Sequence, residues 1–598
     1  MKNALFLMIV MLFFSSSFSI EKTAVSKVVG VFEENGEYLG IIAEIKAEIR
    51  EGSGRVFVDT MPLSQIDTQV SARIAKETAC DILSADCTNL DFSFSLISPV
   101  KLVGGPSAGS VFTILLMSLL SDKPLKENVL MTGTINPDGS IGPVSGIFEK
   151  AKTAYQNKAE VFLIPYGERI DYLDNSTDVV DYFEKNTNMK VIEVKSIEEA
   201  FEYFTGFEII KQEAEEINNT EYNEVLKQMS EELINYSNSI KSYLMNLSVE
   251  DTNLKLFIED RIEFNSNLLN LSENLYKNSS YYSSSSFAVQ AGVGLKYAEN
   301  ILKLENLNNT DYIKEKIEQI ELQKENLKSS ILNININSIK DIEFLSAGID
   351  RLYEAENLIK NATFSFLEKD YYNSLSYISF AEVRLKTAEL WLSRVNFFSS
   401  NETFSFDETK LFLLAEARLE LARNAVLYAE TISSSPYLYS AKEFVEKSEK
   451  AFIEKNYIFS IFESIHARAM ANLAMETRGL SEEGIKIKLI EKQESALLSI
   501  TKAKKEGLFP VLALSYYEYS DSLNKNGDIN SAIIYSSYSK EFSKISKEIS
   551  LAVNSSSIYE KPKTDIISSK EIPSAEIDPF FFLALGFVLG FFLAKKIM

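Results

Sequence analysis

A glycine-rich turn between a predicted strand and an apolar helix contains the serine best suited to act as a nucleophile. The turn reads GGPSAGS, with Gly104, Gly105 and Pro106 directly before Ser107, and the helix is predicted over residues 107–120. Small residues allow close approach to the backbone, and proline fits the first turn of a helix. Ser107 then lies near a helix N-terminus, where N–H groups and the helix dipole stabilise an oxyanion. The same pattern is also ordinary turn and N-cap chemistry.

A serine nucleophile needs a general base. The single histidine, His466, lies in a helical segment far along the chain and is predicted to be a packing or surface residue, which argues against a Ser-His pair. A lysine serves only when burial lowers its pKa, because at a pKa near 10.4 only about 0.04% is neutral at pH 7. Lys150, in the segment IGPVSGIFEKA, is the candidate base, and a solvated helix face is its alternative environment.

The elements that must position these residues fall into two regions of different composition. Residues 21–208 contain fourteen Gly and seven Pro, whereas residues 209–560 contain seven Gly and two Pro. Alternating strands and helices predict an α+β domain first, and the scarcity of helix breakers predicts a long all-α region second. Four turns, each followed by a helix rich in small and aromatic residues, predict diverged helical hairpins: Lys277-Asn278, Lys369-Asp370, Lys455-Asn456 and Lys525-Asn526. Simple recurrence of Ala, Ser and Tyr is the alternative.

The two ends of the chain predict its compartment. Residues 1–19 have the positive start, apolar stretch and small residues of a signal peptide, and an uncleaved anchor is the alternative. Residues 579–594 are an apolar run followed by two lysines, which predicts a C-terminal transmembrane helix. Residues 554–578 are rich in Ser, Lys and Pro and predict a flexible stalk. These segments predict a single-pass cell-membrane protein whose bulk is extracytoplasmic.

Cysteine, sequon and charge patterns agree with that location. Cys80 and Cys87 either form a disulfide or remain two buried thiols, and the sequence leaves both open. The net charge of −24 argues against a nucleic-acid partner, and two Cys with one His argue against zinc modules, so no cofactor or metal is expected. Glycosylation is predicted at Asn-x-Ser/Thr sequons, namely Asn175, Asn218, Asn235, Asn246, Asn270, Asn278, Asn308, Asn361, Asn401 and Asn554.

The segments around Ser107 and Lys150 resemble those of the Lon-type serine peptidases, and the resemblance covers residues 28–206. GPSAG at 105–109 is similar to the family's nucleophile motif, and PVSGIFEK at 143–150 is similar to its lysine motif. The separation of 43 residues between Ser107 and Lys150 equals the family's usual spacing. The resemblance implies a Lon-type proteolytic fold in which Ser107 is the nucleophile and Lys150 is the general base.

The resemblance also implies supporting roles for other residues, and at two positions this sequence differs from the family's pattern. Thr132, in MTGTINPDGSIGPV, resembles the threonine that helps to hold the lysine. Gly104, Gly105 and Pro106 belong to the turn whose backbone N–H groups would hold the oxyanion. Ser145 replaces the first glycine of the lysine motif, and Gly104 stands where the family often has an acidic residue.

The resemblance implies a surface-exposed serine endopeptidase. No G-x-x-x-x-G-K-[ST] P-loop occurs in this sequence, so the enzyme is expected to be ATP-independent and to cleave unfolded or flexible proteins. The layout is similar to that of the membrane-anchored predicted archaeal serine proteases of the superfamily. Expected partners are unfolded protein or peptide substrates and the membrane, without ATP, and the family implies a hexameric homo-oligomer. The predicted order is a signal peptide at 1–19, a Lon-like peptidase domain at 21–208, a helical domain at 209–553, a stalk at 554–578 and a transmembrane helix at 579–594.

Three other interpretations stay open. The peptidase fold could be a catalytically inactive scaffold whose helical domain is a cell-surface interaction module. The enzyme could instead cut its own stalk and release the ectodomain. The helical region could also gate or present substrates in place of the missing ATPase, a hypothesis that depends only on its size and position.

Overall fold

The computed structural model of the chain describes residues 22–554 except 35–36, 65, 104, 172–175, 210–219, 308, 332–333, 335, 337, 398–404 and 509. The predicted signal peptide, the predicted transmembrane helix and all but the first residue of the predicted stalk lie outside the described residues. In the described part of the chain, no helix is both long and apolar enough to cross a membrane.

The first region begins with a four-stranded sheet of order β1-β2-β4-β3. Its strands are β1 Lys22–Glu34, β2 Glu37–Glu51, β3 Val56–Ser64 and β4 Leu90–Val103. β2 pairs antiparallel with β1 and β4, whereas β3 and β4 are parallel. Because side chains alternate along a strand, Ile45, Ala47 and Ile49 of β2 all point into the core. The long strand β4 ends directly before the glycine-rich turn.

A second, parallel sheet and five helices complete this region. The sheet has the order β11-β8-β5, and its apolar runs VLM and VFLIP are typical of strands covered on both faces. Its strands and the short pairs are β5 Val129–Met131, β6 Thr134–Ile135, β7 Ile141–Gly142, β8 Val161–Pro165, β9 Ile170–Asp171, β10 Thr177–Asp178 and β11 Lys190–Val194. The helices are α1 Ile66–Ile82, α2 Gly109–Ser121, α3 Ile147–Gln156, α4 Val179–Asn186 and α5 Ile197–Thr205.

The second region is helical. Its helices are α6 Thr220–Met245, α7 Thr252–Lys277, α8 Tyr281–Leu307, α9 Asp311–Ile331, α10 Ile339–Leu367, α11 Tyr371–Ser393, α12 Glu408–Ile432, α13 Pro436–Ile453, α14 Tyr457–Glu476, α15 Glu482–Lys505, α16 Val511–Lys525 and α17 Ile529–Leu551. A short antiparallel pair, β12 Ser405–Phe406 with β13 Val553–Asn554, departs from the predicted all-α composition. Asn554, which the sequence assigns to the stalk, is therefore paired with Ser405.

Each of the four predicted turns joins two consecutive helices, and the hairpins repeat one buried hydrogen bond. A serine hydroxyl of one helix donates to a backbone carbonyl of the other, 12 residues away across the turn. The bonds, 2.7–2.8 Å long, run from Ser272 to Ser284, from Ser374 to Ala362, from Ser448 to Ser460 and from Ser520 to Ala532. Such a bond satisfies a buried hydroxyl at a close helix contact, so the small residues of these helices have a common packing role.

The two regions share one hydrophobic core. Ala75 and Ala79 of α1 lie in the same cluster as Ala425 and Ala429 of α12 and Ala474 of α14. Alanines at these positions let the helices approach closely, since little side chain separates their backbones. The change of composition near residue 208 therefore marks a change of secondary structure, while the packing continues across it.

A group of ion pairs, some buried and some half-exposed, adds to this interface. Arg468 of α14 lies 2.6 Å from the Glu77 carboxylate of α1, and Lys488 of α15 lies 3.4 Å from Asp138. Lys544 of α17 pairs with Asp81 at the end of α1. Burial raises the pKa of an acidic group, but the neighbouring Lys544 outweighs it and lowers the pKa of Asp81 to about 2. The carboxylates of the first region are thus neutralised by cations of the second.

The side chains of three rare residue types, cysteine, tryptophan and histidine, lie in packed surroundings. Cys80 and Cys87 form a disulfide that closes the loop after α1, which decides between the two alternatives that the sequence left open. The sole tryptophan, Trp391, and the sole histidine, His466, are both buried in the helical region. His466 Nδ1 lies 3.3 Å from Glu463 Oε1, and no residue of the glycine-rich turn is among its contacts within the described residues.

Candidate active site

The glycine-rich turn follows β4 and holds the predicted nucleophile before the buried helix α2. Gly105 has φ 97°, a conformation that favours glycine. Pro106–Ala108 form a separate 3₁₀ turn, so the prediction that the α-helix starts at residue 107 is wrong by two residues. The proline ring fixes the first residue of that tight turn. Ser107 is half-buried in it, and Gly104 lies outside the described residues.

Backbone hydrogen bonds fix this turn against the loop between β5 and β6. The Gly133 N–H donates to the Ser107 carbonyl at 3.1 Å, and the Ser110 N–H donates to the Gly133 carbonyl at 3.2 Å. The Ser110 hydroxyl donates to that same carbonyl at 2.9 Å. Ser107 is therefore tied to the residue that follows Thr132.

Lys150 reaches the same loop from α3. Its side chain is buried, with 3% exposed, and its Nζ donates to the Thr132 hydroxyl at 3.2 Å. The structure thus brings Ser107, Thr132 and Lys150 together around Gly133. Ser107 Oγ and Lys150 Nζ themselves share no hydrogen bond, and catalytic contacts of this kind often tighten only when substrate binds. Among the described residues, no cluster of His, Cys, Asp and Glu could hold a metal ion.

Ser145, which replaces a glycine of the lysine motif, lies at a position where the backbone does not require glycine. Gly146, the N-cap of α3, has φ 68°, and a Cβ there would lie 3.1 Å from the Val31 side chain. Ser145 is exposed and is not among the residues with positive φ. Of the two neighbouring positions, 146 is the one that requires glycine, and this glycine lets α3 start where Lys150 can point inward.

Burial and one carboxylate set the protonation of Lys150. Burial lowers the pKa of the Lys150 amine, the negative charge of Asp171 partly opposes this, and the pKa is about 8. At pH 7 about a tenth of such an amine is neutral, roughly 300 times the neutral fraction of a lysine with a pKa of 10.5. Asp171 also accepts the Phe148 N–H at 2.8 Å, which fixes the first turn of α3.

Two residues that sequence reasoning missed lie behind the nucleophile turn. Asp67 of α1 accepts the Gly105 N–H at 2.9 Å through Oδ2. Tyr428, from α12 of the helical region, is fully buried beside Ser71 and the Asp67 carboxylate, and burial raises its pKa. Asp67 is 40 positions from Ser107 and Tyr428 is over 300, so no local motif could have indicated either residue.

This geometry and the comparisons with known proteins define the class of the domain. Residues 100–205 match the Lon protease (S16) C-terminal proteolytic domain. The chain therefore contains a Lon-type Ser/Lys peptidase domain, of the serine class, and the resemblance deduced from the motifs is confirmed. A long helical region follows this domain.

Similar curated proteins are Lon proteases from archaea and bacteria. The archaeal Lon protease of Archaeoglobus fulgidus is 29% identical over 196 residues, which cover 32% of this chain and 29% of that protein. The archaeal Lon protease of Thermoplasma acidophilum is 27% identical over 174 residues, 28% of this chain and 24% of that protein. The Lon protease of Elusimicrobium minutum is 29% identical over 165 residues, 27% and 19% of the two chains. The chain thus spans less than a third of the length of these relatives.

The negative charge of Asp171 is expected to affect the pH dependence of kcat/KM. If neutral Lys150 is the base, kcat/KM rises with pH around a midpoint near 8, because the free enzyme must lose the lysine proton. Asp171→Asn keeps an acceptor for the Phe148 N–H but removes the charge that raises the pKa of Lys150, so we expect the midpoint to move to lower pH. Asp260→Asn, an exposed change on α7, is the control. A midpoint that stays in place or moves to higher pH in Asp171→Asn contradicts the assignment.

The Asp67 contact predicts a positioning effect. Asp67→Ala removes the acceptor of the Gly105 N–H, so the turn that holds Ser107 is less well fixed, and we expect kcat to fall by about 10–100-fold. Asp67→Asn retains an oxygen acceptor and should recover most of the loss. Casein hydrolysis, with kcat and KM determined separately, measures the effect of each variant. Equal losses in the two variants would exclude the hydrogen bond as the cause.

Proposed function

We propose that this chain is an ATP-independent serine endopeptidase that cleaves unfolded or flexible polypeptides with Ser107 as nucleophile and Lys150 as general base. The observation that supports this most is the buried Lys150 amine, whose pKa is lowered to about 8. This amine donates to Thr132, and the next residue, Gly133, is hydrogen-bonded to the Ser107 carbonyl. A buried lysine next to a serine on a helix-leading turn is suited to activate that serine. The Lon-type match of residues 100–205 agrees with this chemistry.

The proposed reaction has two stages. Neutral Lys150 accepts the Ser107 hydroxyl proton while Oγ bonds to the scissile carbonyl carbon, and the resulting ammonium protonates the leaving amine as the C–N bond breaks. Lys150, neutral again, then accepts a proton from a water that attacks the acyl ester. The Oγ–C bond breaks, and the proton returns to Ser107. Thr132 orients the amine throughout.

The oxyanion donors are assigned to backbone N–H groups of the turn. The Gly105 N–H donates to Asp67, so this amide is not a free donor. We therefore assign the oxyanion to the N–H groups of the 3₁₀ turn at Ser107 and Ala108, next to the N-terminus of α2.

The remaining parts of the proposal concern energy and location. ATP independence depends on the absence of a P-loop motif from this sequence, and the preference for unfolded substrates follows because no motif for an unfolding motor is present. The extracytoplasmic, membrane-anchored location and a hexameric assembly remain proposals, since the terminal segments lie outside the described residues.

Casein hydrolysis without ATP tests the proposal. We expect the full chain to cleave unfolded casein, Ser107→Ala to lose cleavage, and the exposed control Ser329→Ala to retain it. A fluorophosphonate probe, which reacts with activated serines, should label the wild type and not Ser107→Ala. If neither cleavage nor labelling occurs in the folded chain, the peptidase proposal fails and the inactive scaffold is favoured.

A further inference from the structure

A cavity lies between helices of the second region, apart from the peptidase site. It has a volume of about 390 Å³ and is bounded by side chains of α6, α8, α10, α11, α13, α14, α16 and α17. Ligand pockets have volumes of about 300–1,000 Å³, so the space suits one large side chain with its flanking backbone. Close packing leaves few voids larger than a water molecule, and a space of this size between packed helices is therefore unusual.

Tyrosines dominate the walls of this cavity, which we call the tyrosine pocket. They are Tyr282, Tyr353, Tyr516, Tyr519, Tyr535 and Tyr538. The rings contact one another edge to face, as Tyr519 does with Tyr535 at 4.7 Å between centroids, so their positions are mutually fixed. Trp391, the sole tryptophan, and Ser286 also line the pocket. Tyr, Trp, Arg and Ser are the residues that recur at polypeptide-recognition surfaces, because rigid amphipathic rings add contact area at low entropic cost.

Basic and acidic side chains line the pocket in equal number, and burial raises the pKa of Glu463, one of the acids. Its cations are Arg351, Arg384 and Lys447, and its carboxylates are Asp350, Glu354 and Glu463. Arg384 lies 2.9 Å from Glu354, and Arg351 lies over the Trp391 ring at 5.0 Å. A balanced set gives no preference for an anion or a cation. It supplies both donors and acceptors, which the C=O and N–H groups of an extended backbone require.

One buried acceptor in the pocket lacks a partner. Glu463 has 1% of its surface exposed, and Oε2 makes no hydrogen bond within the described residues, while Oε1 contacts His466. An unpaired buried polar atom destabilises a fold, and such atoms are rare in native structures. Oε2 is thus available to an N–H group of a ligand.

The helix α14 contacts both the tyrosine pocket and the peptidase domain. Glu463 and His466 of α14 line the pocket, and Arg468 of the same helix pairs with Glu77 of α1. α1 also contains Asp67, which holds the nucleophile turn. A segment bound in the pocket is therefore held against a helix that packs on the peptidase domain.

We propose that the tyrosine pocket is a docking site for a short extended segment of an unfolded polypeptide substrate, with one large apolar side chain against the rings and a backbone N–H on Glu463. The proposal depends on the peptidase function proposed above. It assigns substrate capture to the helical region.

Fluorescence of Trp391 tests binding directly, because the only tryptophan lines the pocket. The protein is the full chain with Ser107→Ala, so that binding does not require catalysis. The probes are a capped Gly/Ser peptide with one central phenylalanine and the same peptide with serine there. We expect a saturable change with the first peptide and affinity at least about tenfold lower for the second, since burial of a phenylalanine is worth that much or more.

Variants locate the site. Ser286→Phe fills the pocket and should abolish the saturable change, whereas Ser329→Phe, an equal substitution on the exposed face of α9, should not. The comparison of the two peptides needs no substitution in the pocket, so a Ser286→Phe chain that fails to fold leaves the test intact. Equal responses to both peptides, or none, overturn the proposal. Displacement by free phenylalaninamide at the same concentration as the peptide would indicate a small-molecule site and also overturn it.

Kinetics then separate capture from catalysis. With Ser107 restored, Ser286→Phe should lower the ratio of kcat/KM for casein to kcat/KM for a short fluorogenic peptide, mainly through KM for casein. An unchanged ratio contradicts a docking role. Failure of the peptidase proposal would instead appear as no hydrolysis of either substrate with peptide binding intact, so the two failures are distinguishable.

Discussion

Lys150→Met is expected to lower peptidase activity by at least about 10³-fold while the chain stays folded. Methionine fills a similar volume but cannot accept the Ser107 proton, and loss of a base that acts with a nucleophile commonly costs a factor of this size or more. Lys152→Met is the matched control, because Lys152 lies on the same helix, is half exposed and pairs with Glu149 at the surface. Casein hydrolysis across pH 6–10 gives the comparison.

The same variant should be more stable than the wild type at pH 7. The pKa of Lys150 is about 8 when folded against 10.5 unfolded, so the unfolded chain binds the proton more tightly. The destabilisation, at most about 3 kcal/mol, is complete below pH 8 and is relieved as pH rises from 8 to 10.5. The stability advantage of Lys150→Met should therefore shrink over that range.

Urea unfolding of both chains at pH 7 and pH 10 measures this difference. An advantage that is absent at pH 7, or that grows towards pH 10, would show that burial does not lower the pKa of this amine. Activity retained in Lys150→Met would exclude Lys150 as the base whatever the stability result.

Arg468→Ala is expected to destabilise the folded chain by about 3–5 kcal/mol. Arg468 is 8% exposed and lies 2.6 Å from Glu77 and 3.7 Å from Glu541. Burial raises the pKa of Glu541, yet Arg468 with neighbouring lysines lowers it to about 2, so the carboxylate stays charged. Removing the arginine leaves the buried Glu541 and the half-buried Glu77 carboxylates without their arginine partner, which is the costly way to break such an ion pair.

Arg423→Ala is the control for this interface. Arg423 pairs with Glu449 at 2.7 Å, but both side chains are exposed, so the expected loss is below about 1 kcal/mol. Urea unfolding followed by Trp391 fluorescence and by circular dichroism reports on both variants. Equal effects of the two substitutions would show that the buried ion pairs contribute no more than surface pairs.

Local sequence patterns predict the two central residues of the peptidase site. The GPSAG and PVSGIFEK motifs identified Ser107 and Lys150 because nucleophile turns and helix starts are coded by adjacent residues. Their catalytic roles stay predictions. The implied role of Thr132 agrees with the 3.2 Å hydrogen bond that it accepts from Lys150. The start of α2 was misplaced, since a proline at the front of a tight turn resembles the first turn of a helix.

The sequence alone determined the Lon-type domain, the helical region after it and the hairpin turns, because each depends on residues close together in the chain. The tertiary structure alone decided that Asp67 and Tyr428 lie behind the nucleophile turn, and that both regions share one core. It also created the tyrosine pocket from eight helices. Contacts such as Lys488 with Asp138 join residues 350 positions apart, and burial of apolar faces brings them together without any local sequence signal.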